Sequence, residues 1–146
     1  MKAKNTYYSS YNVVKNDCNS NGHIDPSSYF RYFERGRSDA IKADKLRKLQ
    51  EKYECFLVVT KCTAHWHEFA KYGQVLKAET TLSVTSKYSI HASQKIYIND
   101  NPEAAASLDS KIACAACDDQ GKMALVAMTP EMIECINNPD INNEAR

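Results

Sequence analysis

The 146-residue chain has no apolar run approaching the ~18–20 residues of a membrane-crossing helix, so no transmembrane segment is expected. It has no excess of one charge either. Its 19 basic and 18 acidic side chains leave a formal net charge of +1, which gives no physical basis for nucleic acid or a membrane surface as partner. Repeats, low-complexity tracts and internal linkers are absent, which points to one domain over residues 1–146 with its core between about residues 7 and 136. Met1-Lys2-Ala3-Lys4-Asn5 is followed by no apolar signal core, and a cytoplasmic protein is expected. The six cysteines do not make a disulfide scaffold in a chain this long. Cys55, Cys62, Cys114 and Cys117 lie in apolar or alternating segments and are expected as buried free thiols. Cys114-Ala-Ala-Cys117 has redox or metal spacing, but no second pair matches it and the segment has strand character.

What is present is a clear change of period. Tyr7 to Asn16 is expected as a first strand, followed by a helix from Pro26 to about Ala43 and a second helical piece from Asp44 to Tyr53. Advancing about 100° per residue from Phe30 puts Tyr29, Phe33, Gly36, Ala40 and Ile41 in one arc, with Ser28, Arg31, Arg35, Ser38, Asp39 and Lys42 opposite. The phase slips beyond Asp44, where a bend or break is expected. Cys55 to Phe69 opens as an apolar run and is expected to be a central strand. Gln74 to Tyr88 alternates, with Leu76, Ala78, Leu82, Val84 and Tyr88 on one face. Ser89 to Asn99 does the same through Ile90, Ala92, Ile96 and Ile98, and Asp100-Asn101-Pro102 marks a turn. Leu108 to Cys117 and Lys122 to Met128 are the last strands, joined through Asp118-Asp119-Gln120-Gly121. Pro130 to Ile136 is a short helix, and the Asn-rich end is expected to fray. One early strand, one long helix and then hairpin-linked strands give an α+β fold with a curved antiparallel sheet around the helix. One helix covers one face of such a sheet, so the other face or an edge is expected to pair with a second copy.

The segment richest in chemistry is Asp17-Cys18-Asn19-Ser20-Asn21-Gly22-His23-Ile24-Asp25-Pro26, which leads directly into the helix. Asp25 is a suitable N-cap and Pro26 suits the first helical position. Polar side chains are thereby delivered beside the positive end of a helix, where developing negative charge is stabilised.

The pattern Asp-x-Asp-x-x-Gly, six further residues, Tyr, then aromatic-Glu-Arg-x-Arg occurs in hotdog-fold thioesterases of the 4-hydroxybenzoyl-CoA type. Here it reads Asp17-Cys18-Asn19-Ser20-Asn21-Gly22, Tyr29 and Phe33-Glu34-Arg35-Gly36-Arg37, and the chain resembles that family from Tyr7 to Ile136. The resemblance implies a hotdog fold and hydrolysis of an acyl thioester, carried on coenzyme A or an acyl carrier protein. It also implies a homo-oligomer (a dimer with two sites, often paired into a tetramer), an acyl chain beside the helix, and no cofactor or metal. Two positions depart from the pattern. Asn19 stands where the family has its nucleophile or base, and Pro26, which has no N–H, stands at the helix-start position whose amide polarises the carbonyl. The loop also resembles the thioesterases of enediyne polyketide synthesis, with Asn matching Asn19, a helix Arg matching Arg37 and a Glu matching Glu68.

Each candidate has two readings. Asn19 holds the attacking water or the thioester oxygen, or orders the loop through an Asx bond. Arg37, inside the apolar arc, binds a substrate carboxylate, holds Glu68, or makes a salt bridge. Glu68 follows the strand face of Phe56, Val58, Cys62, Ala64 and Trp66, so it points inward as an alternative base unless a bulge turns it to solvent. His23 orients the loop or donates to the carbonyl, or is a surface histidine. Ser27 or Ser28, or a side chain, supplies the donor that Pro26 lacks. Tyr29 packs under the loop and, with Phe33, lines the acyl pocket. Asp17 is expected as a loop-ordering acceptor, and His65 and His67 lie on an exposed strand face. The rival to an enzyme is a non-catalytic protein that binds acyl thioesters.

Overall fold

The computed structural model describes residues 5–41 and 43–137. Residues 1–4, Lys42 and the Asn-rich tail therefore lie outside the described residues. In chain order come β1 (Asn5–Asn12), α1 (Tyr29–Ala40), α2 (Ala43–Tyr53), β2 (Phe56–Trp66), β3 (Val75–Ser86), β4 (Ser89–Ile98), β5 (Ala106–Cys117), β6 (Met123–Leu125) and α3 (Pro130–Asn137). The strands form one sheet in the order β1-β3-β4-β5-β2, with β6 paired to the end of β5, and every pairing is antiparallel.

Strand alternation selects the residues that meet the helices. Leu76, Ala78, Thr80 and Leu82 of β3, Ile90, Ala92, Gln94, Ile96 and Ile98 of β4, and Ala106, Leu108, Ser110, Ile112 and Cys114 of β5 are all buried. Two apolar clusters share this side. One gathers Tyr29, Tyr32 and Phe33 of α1 with Tyr11, Ile24, Leu76 and Ile96. The other gathers Ala40, Leu46 and Leu49 with Met132, Cys135 and Ile136 of α3 against Leu82, Ile90 and Cys114. Burial of one such large apolar side chain contributes on the order of 2–3 kcal/mol.

The buried stripe of α1 is Tyr29, Tyr32, Phe33, Gly36 and Ala40. Tyr32 joins the expected arc, while Phe30 lies at its margin and remains 39% exposed. The α-helix is shorter than its pattern predicts. Pro26–Ser28 form a 3-10 turn, and the Tyr29 N–H reaches the carbonyls of both Pro26 and Ser27. Asp25 caps this turn with its backbone: its carbonyl accepts from the Ser28 N–H at 2.8 Å, and its side chain makes no cap bond. At the far end Ile41 leaves the helix at φ −98°, ψ 8°, so the expected break falls just before Asp44.

The strand expected to be central, Cys55 to Phe69, is instead the outer strand β2, bonded only to β5. Its register shifts between Val59 and Lys61, and this bulge at Thr60 reverses the alternation. Leu57 and Val59 pair with the inward Cys114 and Ile112 before the bulge, and Cys62, Ala64 and Trp66 pair with the inward Ser110, Leu108 and Ala106 after it. Phe56 and Val58 consequently lie on the opposite face from Cys62, Ala64 and Trp66. Cys62 and Cys117 are exposed rather than buried, because β2 has no neighbour on its outer side and Cys117 ends β5; Cys55 and Cys114 are buried as expected. No disulfide joins the cysteines among the described residues. The last strand is three residues, Met123–Leu125, and Tyr88 falls in the β3–β4 turn. Among the described residues no helix is long and apolar enough to cross a membrane.

Candidate active site

The loop between β1 and α1 is closed by Asn19. Its Oδ1 accepts from the backbone N–H groups of Asn21 at 3.0 Å and His23 at 3.3 Å. Its own N–H donates to the His23 carbonyl at 2.8 Å, and its carbonyl accepts from Gly22 at 3.0 Å. Gly22 adopts φ +79°, a conformation that suits glycine and allows this tight return. The Asx reading of Asn19 is thus realised at its oxygen. Its Nδ2 makes no hydrogen bond among the described residues, which leaves a donor facing solvent beside the helix start.

Asp17 anchors the loop from below. It is buried and accepts from the Tyr32 hydroxyl at 2.7 Å, with Arg31 at 3.4 Å on its other oxygen. Burial, then the bond to Asp17, pushes the Tyr32 phenol up to about 12, so it remains a donor at neutral pH. Asp17 therefore orders the loop, as expected, and is committed to that role. Of the two serines offered as carbonyl donors, Ser28 is buried and its N–H is taken by Asp25. Ser27 is exposed, and its N–H has no partner among the described residues. The free amide at the start of α1 is therefore that of Ser27.

Glu68 does not point inward. β2 ends at Trp66, and the N–H groups of both His67 and Glu68 turn onto the single carbonyl of Ala105, at 2.7 and 3.1 Å. That kink ends the alternation and exposes the carboxylate, whose contact is Asn101 Nδ2 at 3.4 Å. The segment is nonetheless fixed at the helix start. The Tyr29 hydroxyl donates to the Glu68 carbonyl at 2.9 Å and accepts from the Ala70 N–H at 3.1 Å. Ile24 N–H bonds the Ala70 carbonyl at 2.6 Å, and His23 bridges to Lys71. The Asn19 loop, the start of α1 and the Glu68 segment thus form one unit. Tyr29 and Phe33 are wholly buried, so both serve the core in the single chain instead of lining a pocket. The His23 imidazole is half-buried and unbonded among the described residues.

Arg37 lies eight residues beyond Tyr29, about 12 Å further along the helix axis. Its hydrogen-bond partner among the described residues is not Glu68 but Gln94, whose Oε1 accepts from Nη1 at 3.1 Å. Burial lowers the guanidinium pKa from its usual value without discharging it. Arg37 faces a cleft of about 430 Å³ floored by Leu57, Val59, Leu82, Ile90 and Ile112 and rimmed by Glu34, Asp44 and Arg47. Gln94 did not emerge from sequence reasoning, although the signal was available: it occupies the inward phase of β4 between Ala92 and Ile96. His65 and His67 are exposed and stack with ring centroids 6.4 Å apart. No group of His, Cys, Asp and Glu among the described residues is arranged to hold a metal ion.

The family model of the thioesterase-like superfamily matches residues 13–135. No curated protein matches the chain. Several solved structures are similar in fold. The 4-hydroxybenzoyl-CoA thioesterase from Pseudomonas sp. strain CBS-3 is 15% identical at a TM-score of 0.77, over 90% of this chain and 99% of that one. The DHNA-CoA thioesterase from Staphylococcus aureus is 20% identical at a TM-score of 0.76, over 97% of this chain and 95% of that one. The dynemicin thioesterase, studied with respect to polyene binding, is 16% identical at a TM-score of 0.78, over 92% of this chain and 96% of that one. Identities this low establish the architecture alone, and it is the expected hotdog fold.

Proposed function

Because the chain belongs to the thioesterase-like superfamily, we propose that it hydrolyses an acyl thioester, carried on coenzyme A or an acyl carrier protein, to a free acid and a thiol. The observation that carries this reading is the pair of open donors at one helix start, Asn19 Nδ2 and the Ser27 N–H, with Asn19 Oδ1 committed to the loop. Open donors beside a helix N-terminus suit an oxyanion. Asn19 is neither base nor nucleophile. Water attacks the carbonyl carbon, the oxyanion forms against these donors, and its collapse expels the thiolate. Glu68, held next to the helix start through its own backbone, or His23 takes the proton from water. Arg37 meets the acyl group in the cleft.

The protein acts as a homo-oligomer in the cytoplasm. β2 offers an unpaired edge, and beside it Phe30, Val59, Trp66 and Phe69 are exposed, with Phe30 and Trp66 in edge-to-face contact at 5.8 Å.

Thiol release from short, long and aromatic acyl-CoAs and from acyl carrier proteins tests the reading. Release above the spontaneous rate for at least one substrate is expected. The binding-protein alternative is favoured by one observation, the loss of an N–H at Pro26. It predicts thermal stabilisation by an acyl-CoA without any thiol release.

A further inference from the structure

Gln94 is a polar side chain in the middle of the buried face, 1% exposed. Its amide orientation is determined by chemistry. Nε2 lies 2.8 Å from the Phe33 carbonyl, which only accepts, and 3.0 Å from Thr80 Oγ1. The nitrogen must therefore face α1, and Oε1 must face Arg37. Gly36 makes this approach possible: a Cβ there would stand 3.3 Å from Gln94 Nε2 and 3.2 Å from Thr80 Oγ1. The helix is pressed onto the strand at the one turn where the amide bridges them. Arg37 has one hydrogen-bond acceptor, Gln94 Oε1; the Glu34 carboxylate of the same cleft acts on it through charge, with no ion pair within 4.0 Å among the described residues. A guanidinium has five N–H donors. A half-buried cation with a neutral partner at the mouth of an apolar cleft is satisfied by a further oxygen acceptor.

We propose that Gln94 is a positioning residue for substrate binding: its fixed amide oxygen aims the Arg37 guanidinium into the cleft, where the guanidinium donates to an oxygen of the bound acyl group. The proposal rests on the thioesterase reading above. It gives a physical reason for a glutamine in a sheet core, where an apolar residue would otherwise pack without the cost of a buried amide.

The test is binding, so that it does not depend on turnover. Two sets of acyl-CoA analogues of matched length are titrated by calorimetry. In both sets a methylene separates the sulfur from the first carbonyl, which prevents hydrolysis and leaves the contacts of that oxygen the same. One set carries a second ketone further along the acyl chain, and the other carries a plain alkyl chain there. The wild type is expected to bind the chain ketone about tenfold more tightly than the plain-chain analogue, as a hydrogen bond from a charged donor implies. Gln94→Met and Arg37→Met are each expected to abolish that preference, and the double variant to be no worse than either single one. Gln94→Leu serves if Gln94→Met fails to fold and lowers the preference likewise. Ile96→Val, on the same buried face, controls for loss of stability and leaves the preference intact. A full preference in Gln94→Met or Gln94→Leu overturns the proposal while leaving the thioesterase reading in place. Failure of the wild type to bind the analogues either on coenzyme A or on carrier-protein phosphopantetheine removes the substrate site and overturns both.

Discussion

The Tyr29 hydroxyl makes the side-chain hydrogen bonds that tie the start of α1 to the Glu68 segment, and Tyr29→Phe removes them with little change of shape. Two hydrogen bonds are lost, at 2.9 Å to the Glu68 carbonyl and 3.1 Å from the Ala70 N–H. Each is worth about 1 kcal/mol net. Ala70 is fully buried, so its N–H loses its partner without gaining water, and the cost is towards the upper end. The sum is about 2–3 kcal/mol. For a domain of this size, about 2–4 °C in Tm accompanies each kcal/mol, which gives a fall of about 5–10 °C. Urea unfolding followed by circular dichroism at fixed protein concentration measures the free energy directly. The slope with denaturant should be unchanged, because the same surface is exposed on unfolding. A loss below about 0.5 kcal/mol would show that the hydroxyl does not brace the junction, and the single unit of loop, helix start and Glu68 segment would no longer stand.

Three further outcomes are expected. Gly36→Val should cost about 2–3 kcal/mol in chemical denaturation, since its Cβ would meet Thr80 Oγ1, Ala78 Cβ and Gln94 Nε2 at 3.2–3.3 Å. Stability should fall in alkali: burial first of all raises Tyr32 from 10.0 and Cys114 from 9.0, each to about 12. The unfolded chain sheds these protons first, so the stabilisation is complete below about pH 9 and is lost as pH rises towards 12; Cys114→Ala should flatten the first part of that decline in pH-dependent urea melts. Trp66→Glu places a charge on the exposed aromatic face beside the β2 edge and should lower the molar mass seen by sedimentation while circular dichroism is preserved.

The alternating strands β3 and β4 were legible in the sequence because period 2 with one face buried is a strong signal, and the helix stripe was legible through Tyr29, Phe33, Gly36 and Ala40. The rank of β2 in the sheet was not. An apolar run marks a strand that something will cover, and among the described residues no strand pairs with its outer edge. The bulge at Thr60 has no local signature in Val58-Val59-Thr60-Lys61, and it splits the expected even-numbered face, setting Phe56 and Val58 opposite Cys62, Ala64 and Trp66. Glu68 is turned to solvent by the kink onto Ala105, a contact 37 residues away in sequence that only the fold creates. In the site, the Asn19 loop was legible as a turn closed by its own side chain. Gln94 was passed over because the apolar residues around it carried the strand assignment, and its bond to Arg37 joins positions 57 residues apart.

The central claim is that thioester hydrolysis proceeds here with a donor, not an acid, at position 19. The most direct measurement is the rate of thiol release by Asn19→Ala against the wild type on the best acyl-CoA of the panel. Loss of one oxyanion donor should lower kcat by about 10²–10³. Release by Asn19→Ala at the wild-type rate would contradict the claim, because the helix start and the Glu68 segment would then be sufficient without it.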